Sequence, residues 1–176
     1  MTLPPSVRKA LLTTHLMSSV GWFGAVACFL VLAIVGVESA SAELVRGSYL
    51  AMQVLTWSLI VPLCLASLVT GILQALGTPW GLLRHYWVIT KLVLTVVATL
   101  ILLMHTQPIG AVATRAAAAA LAFSDLRGVR IQLIGDAGAA LLVLLVTTIL
   151  SVYKPRGMTR YGWRRQHEGR APLTIG

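Results

Sequence analysis

The sequence predicts an all-α fold, an integral membrane antiparallel four-helix bundle with a short extra helix in the third connection. Three observations lead there. Of the 176 residues, 57% are hydrophobic and 11% charged, whereas soluble domains run at about 45–50% apolar and 25% charged. Four stretches each supply the roughly 20 apolar residues that a helix needs to cross a bilayer core. Lysine and arginine then collect on alternate connections, the asymmetry that orients membrane helices. A soluble globular domain and a disordered chain are excluded by the same numbers, with a mean hydropathy of +0.86. A disulfide scaffold is excluded too, because Cys28 and Cys64 lie inside apolar runs, where a reduced thiol is a small hydrophobe.

The first span covers about residues 11–37, interrupted only by His15 and small hydroxyl residues. It is too long to read as a cleavable signal peptide. The second covers about 49–76 and contains Gln53, Pro62 and Gln74; Pro62 should kink it, since a proline removes one backbone donor. The third covers about 86–106 with Lys91 and His105 inside, and the fourth about 131–153 with Asp136 near its start. Residues 1–154 thus form the transmembrane domain and 155–176 a basic tail. Gly21 and Gly24, and Gly135 with Ala139, are the positions where small side chains should let helices approach.

The connections differ in character. Glu38 to Ser48 reads as a short polar loop, and Gly77-Thr78-Pro79-Trp80-Gly81 as a turn. Pro108 and Gly110 should end the third helix, and the alanine-rich run Ala111 to Ala122 should form the extra helix. Ser124 and Asp125 read as the cap and first-turn acid of the last helix. His85, His167 and the tryptophans read as interfacial residues.

Arg8, Lys9, Arg84 and the six tail residues Lys154, Arg156, Arg160, Arg164, Arg165 and Arg170 put nine cations on one side. Arg46, Arg115, Arg127 and Arg130 put four on the other. Both termini should therefore be cytoplasmic, in a multi-pass protein of a bacterial plasma (inner) membrane. The net charge of +9 is accounted for by a tail held at anionic headgroups, where each cation contributes roughly 1 kcal/mol. No nucleic-acid-binding motif accompanies it. A membrane-protein partner or a homo-oligomer completes the expected partners.

Ionisable groups inside a membrane cost several kcal/mol and mark candidate functional sites. Four fall into two layers. His15 and Lys91, with Gln74, lie about a turn or more inside the inner face. His105 and Asp136, with Gln53, Gln132 and Arg130 nearby, lie toward the outer face. Lys91 and His105 are fourteen residues apart, so they project from nearly one face of one helix. His15 offers an imidazole suited to a metal or haem iron, and Lys91 a cation for a propionate or another anionic group. Trp22, on the same stripe as His15, suits a flat apolar ligand. The blander alternatives are a hydrogen-bonding His15 and a Lys91 that snorkels to the interface. His105 and Asp136 read first as a structural pair and otherwise as a proton relay or weak metal ligands, with Met52 and Met104 as thioethers favouring Cu(I). No Walker loop, dinucleotide fingerprint or clustered Cys/His motif is present.

The run His15-Leu16-Met17-Ser18-Ser19-Val20-Gly21-Trp22-Phe23-Gly24 resembles the opening helix of the CopD-like integral membrane superfamily. Thr70-Gly71-Ile72-Leu73-Gln74-Ala75-Leu76-Gly77, followed by Trp87-Val88-Ile89-Thr90-Lys91-Leu92-Val93-Leu94, resembles its later part. The tail, Tyr153-Lys154-Pro155-Arg156-Gly157 and Thr159-Arg160-Tyr161-Gly162, looks like that of a branch of uncharacterised bacterial predicted integral membrane proteins. The superfamily includes copper-resistance components and HemJ-type protoporphyrinogen oxidases, which use a membrane-embedded histidine with haem and a lysine. The resemblance implies haem b, with His15 and Lys91 at the matching positions. The methionine- and histidine-rich segments of a copper handler are missing.

The leading expectation is a small inner-membrane protein with a haem- or porphyrin-binding pocket near the cytoplasmic leaflet, built by His15 as candidate axial ligand with Lys91, Trp22 and Gln74. The alternatives are a copper- or proton-handling protein using His105 and Asp136, and a cofactor-free structural or partner subunit of a membrane complex. Whether it is an enzyme is left open.

Overall fold

The computed structural model describes residues 3–77, 82–117, 127–155 and 157–168. Its regular elements are helices: α1 (Pro5–Glu38), α2 (Ala42–Leu55), a π turn (Thr56–Ile60), α3 (Val61–Gly77), α4 (Tyr86–Ala117), α5 (Arg127–Tyr153) and α6 (Arg160–Glu168). The α2–π–α3 unit is one continuous rod, so four rods are long and apolar enough to cross a membrane. The chain is a multi-pass membrane protein built as a four-helix bundle. Only helices satisfy every backbone amide within a single segment in hydrocarbon. Around the bundle, α1 packs on α2, α3 and α5, while α4 packs on α2 and α5.

Local sequence explains where the rods start and stop. Pro5 occupies the first turn of α1, where its missing N–H is no loss. The segment expected as a polar loop over 38–48 is mostly helical: α2 begins at Ala42, with the Ser41 hydroxyl accepting from the Leu44 amide at 3.4 Å and Glu43 in the first turn. A cap and a first-turn acid suffice to start a helix among polar residues. In the second rod Pro62 cannot donate to a carbonyl one turn back. The chain absorbs this just upstream as a π turn, in which the Val61 amide donates to the Thr56 carbonyl.

Pro108 does not end the third rod. α4 runs through it to Ala117, with Ile109, Val112, Ala113 and Ala116 all buried. Packing on α2 and the helix propensity of alanine outweigh one lost hydrogen bond. Residues 111–117 are therefore the last turns of α4 rather than a separate helix. The rest of that connection, with the expected cap Ser124-Asp125, lies outside the described residues, as do Trp80 and the turn around it.

The core is one cluster containing Trp22, Phe29, Tyr49, Met52, Ile60, Cys64, Val112, Leu133 and Leu144. Trp22 is thus a core residue and not an interfacial one. Buried hydroxyls are satisfied locally: Thr56 and Thr99 each donate to the carbonyl four residues back at 2.7 Å. The Thr99 oxygen is left to accept from the Cys64 thiol at 3.1 Å. Of the small residues expected at contacts, Gly21 meets Leu63, whereas Gly24 and Gly135 face no neighbour within 4 Å. Those two glycines and Ala139 are exposed.

Closer approaches occur elsewhere. At the far end of the bundle, a Cβ on Gly36 would sit 2.7 Å from Cζ of Tyr49. Arg130 ties this corner together: its Nε donates to the Tyr49 hydroxyl at 2.7 Å, its Nη2 donates to the Gly36 carbonyl, and its guanidinium lies 5.5 Å from the Tyr49 ring centre.

At the opposite end, which carries Arg8, Arg84 and Lys154 and is called the basic end below, the chain after α5 folds back. Lys154 turns it with φ 42°, a left-handed residue of the kind that closes helices. The Thr159 amide donates to the Arg84 carbonyl at 2.9 Å, its hydroxyl donates to the Leu83 carbonyl at 2.6 Å, and the Tyr86 amide donates to Gly157. α6 then leaves with Tyr161 and Trp163 exposed.

Gly36→Ala should lower the thermal midpoint in detergent by an amount consistent with overpacking, about 1–3 kcal/mol. Gly24→Ala, with no atom in reach, should leave the midpoint unchanged or slightly raised. Equal effects of the two substitutions would contradict the placement of Tyr49 on Gly36.

Candidate functional site

Two cavities take up the polar groups of the bundle. The first, of about 490 Å³, opens at the basic end. Three helices present helical-spaced stripes to it: Arg8, Leu12 and His15 from α1, Ser67, Gly71 and Gln74 from α3, and Val88, Lys91 and Thr95 from α4. Spacings of three and four residues keep each set on one face. Ser151 and Lys154 complete the wall from the end of α5.

His15 is the best-defined side chain in this wall. Its Nδ1 lies 3.0 Å from the Ser67 carbonyl and 3.1 Å from the Thr70 hydroxyl. A carbonyl only accepts, so Nδ1 carries the proton. The Thr70 hydroxyl donates to the Ala66 carbonyl at 2.6 Å and so faces His15 as an acceptor. The imidazole rests against Gly71, where a Cβ would come within 3.1 Å of Cε1. Glycine is the residue that lets the ring lie on the α3 backbone. Neutral His15 therefore keeps its lone pair on Nε2, which has no hydrogen-bond partner among the described residues.

The cations are arranged around this ring. Lys91 Nζ donates to the Ser151 hydroxyl at 2.5 Å and lies 5.9 Å from the Trp87 ring centre. Ser151 in turn donates to the Thr147 carbonyl at 2.7 Å. The ammonium is thus held between α4 and α5 rather than extended along the surface. Arg8 and Lys154 line the same space, and no carboxylate does so among the described residues. Gln74 donates to the Leu11 carbonyl at 2.9 Å, binding α3 to α1 at the rim. The potential in the cavity is positive, and its lower wall is apolar.

The second cavity, about 190 Å³, lies deeper, between α1, the π turn, α4 and α5. Trp22 lines this one and not the first, so the structure does not join it to His15, Lys91 and Gln74. It stands instead with His105 and Asp136. His105 Nδ1 lies 2.8 Å from the Ile101 carbonyl, and its Nε2 lies 3.0 Å from Asp136 Oδ2 and 3.0 Å from the Gln132 amide nitrogen. With Nδ1 donating to the Ile101 carbonyl, Nε2 accepts from the Gln132 amide, so no proton of His105 is directed at Asp136 Oδ2. Arg130 belongs to the Tyr49 corner, and Gln53 faces Gly110.

Neither Met52 nor Met104 lines the second cavity; Met52 is enclosed in the core and Met104 is 75% exposed. Among the described residues no group of three or more His, Cys, Asp or Glu converges. A bare ion would find too few donors. A metal that brings its own equatorial ligands, as haem iron does, needs only one.

Sequence reading missed Arg8, Ser67, Thr70, Gly71, Ser151 and Lys154. Arg8 and Lys154 were counted only as orienting charges. The i, i+4 relation of Ser67 to Gly71, one small polar residue a turn from a glycine, was the available signal for a helix face that admits a ring. The chain matches no known protein family, no curated protein and no solved structure.

Histidine-selective ¹⁵N NMR in micelles should find His15 neutral with Nδ1 protonated, its signals identified by their loss in His15→Gln. Protonation on Nε2 instead would mean that the Ser67 carbonyl does not hold the ring.

Proposed function

We propose that this multi-pass protein binds haem, or a closely related anionic tetrapyrrole, in the cavity at its basic end. The observation that carries the reading is His15: a ring fixed through Nδ1–H on a backbone carbonyl, with the Nε2 lone pair free on a residue that lines the cavity. Histidines that ligate metals are held in this way, the second nitrogen setting tautomer and orientation. Gly71 provides the flat shelf for the ring, and the cations suit the rest of the ligand. Lys91, Arg8 and Lys154 would meet propionates at the membrane boundary, where charge-assisted hydrogen bonds are strong. The volume of about 490 Å³ lies within the ordinary 300–1,000 Å³ of small-molecule sites. Bound haem would supply redox or ligand-binding chemistry at its iron. The chain's own part is to hold the axial imidazole, neutralise the carboxylates and keep the macrocycle at one depth.

The same reading places the basic end at the cytoplasmic face of a bacterial plasma membrane, with the tail at anionic headgroups. The exposed Tyr161 and Trp163 beside Arg160 and Arg164 have the composition of an interfacial segment.

Purified protein supplemented with haem should show a Soret band that disappears in His15→Ala. In Lys91→Gln the band should remain while affinity falls about 10-fold or more, as expected for one lost charge-assisted bond of roughly 1.5–3 kcal/mol. A colourless preparation, or a band indifferent to His15, would remove the proposal. Independently, a fluorescent protein fused after the tail should fold and fluoresce, whereas a periplasm-dependent phosphatase fused there should be inactive; the opposite pattern would invert the orientation.

A further inference from the structure

We infer that the second cavity is a binding site for the ring of a membrane-soluble quinone or quinol. Its mouth sets the class of ligand. Val97 and Ile101 of α4 and Ala139 of α5 line it and are also exposed on the bundle surface, so the opening faces the lipid side between those two rods. A solute of the aqueous phase does not arrive from there, whereas a molecule dissolved in the bilayer does.

The walls set its shape. Trp22 and Phe29, both buried, bound the inner side, and aromatic faces favour a flat ring packed against them. The Thr56 hydroxyl is committed to the Met52 carbonyl. Polarity is therefore concentrated at one place, the His105–Asp136 pair. There Asp136 Oδ2 is buried, and the ion-pair distance to His105 is not matched by a directed hydrogen bond. A buried carboxylate oxygen without a donor is costly.

A quinol hydroxyl corrects that deficit by donating to the Oδ2 carboxylate, and with Asp136 protonated the Oδ2 hydroxyl donates to a quinone carbonyl. An acyl chain would fill the apolar volume and leave the oxygen as it is. A ring with one oxygen at the pair and a tail running out through the α4–α5 mouth satisfies the lipid-side opening, the aromatic walls and the orphaned acceptor together. The site stands apart from the cavity at the basic end and does not depend on what binds there.

The test uses the full chain in nanodiscs, labelled with an azido-benzoquinone bearing a decyl tail and mapped by mass spectrometry. The expected result is saturable labelling within α1 around Trp22 and along the facing stretches of α4 and α5, competed by unmodified decyl-benzoquinone and not by decylbenzene. Asp136→Leu and the cavity-filling Ala140→Phe should each weaken competition roughly 10-fold or more, the scale of one buried hydrogen bond. Met104→Leu, outside the cavity, should not. If Ala140→Phe fails to fold, the wild-type labelling map and Asp136→Leu decide. Labelling spread over lipid-facing surfaces, or equal competition by decylbenzene, would overturn the assignment.

Discussion

Inside a bilayer each backbone amide and each buried polar side chain has to find its partner within the protein, because no water is there to serve. This constraint organises the whole molecule. It selects helices, turns threonines and serines back onto carbonyls of their own rods, and makes the second rod take up Pro62 through a π turn rather than break. It also lets α4 continue through Pro108, since the turns beyond the proline bury Ile109, Val112, Ala113 and Ala116. Helix ends, where amides run out of partners, are capped by Ser41 or turned by Lys154.

The same constraint makes the exceptions informative. Polar groups that are not consumed by their own helix gather at two depths. At the basic end His15, Lys91 and Ser151 are linked to other elements, and the chain directs a lone pair and several cations into one space. Deeper, His105 and Asp136 face each other beside an apolar cavity, with one oxygen left without a donor. The first space is suited to an amphipathic anion arriving at the interface, and the second to a lipid-soluble ring. Arg130, by contrast, spends its donors on Tyr49 and Gly36, which makes it a brace for the far corner rather than a site.

The rods were legible because length and hydropathy decide them in a membrane. The depth of each ionisable residue was legible because helices rise uniformly, which is why His15 and Lys91, and His105 and Asp136, could be paired by layer. Rotation about the helix axis was not. Trp22 shares a stripe with His15 on paper, yet the packing of α1 against α5 and the π turn points it to the other cavity. Propensity also misled: Pro108 and the polar run after Glu38 look like breaks, and packing or a serine cap overrules them. Gly71 was invisible as a functional residue because a glycine in a membrane helix is ordinary. Only the imidazole lying on it gives it a role.

The fold-back of Thr159 onto Leu83 and Arg84 joins the end of the last rod to the link between the second and third. During synthesis those two carbonyls stay open until the ribosome has delivered the residues beyond the final helix. A chain stalled or clipped before Thr159 would carry all four rods yet display an unlatched loop at its surface.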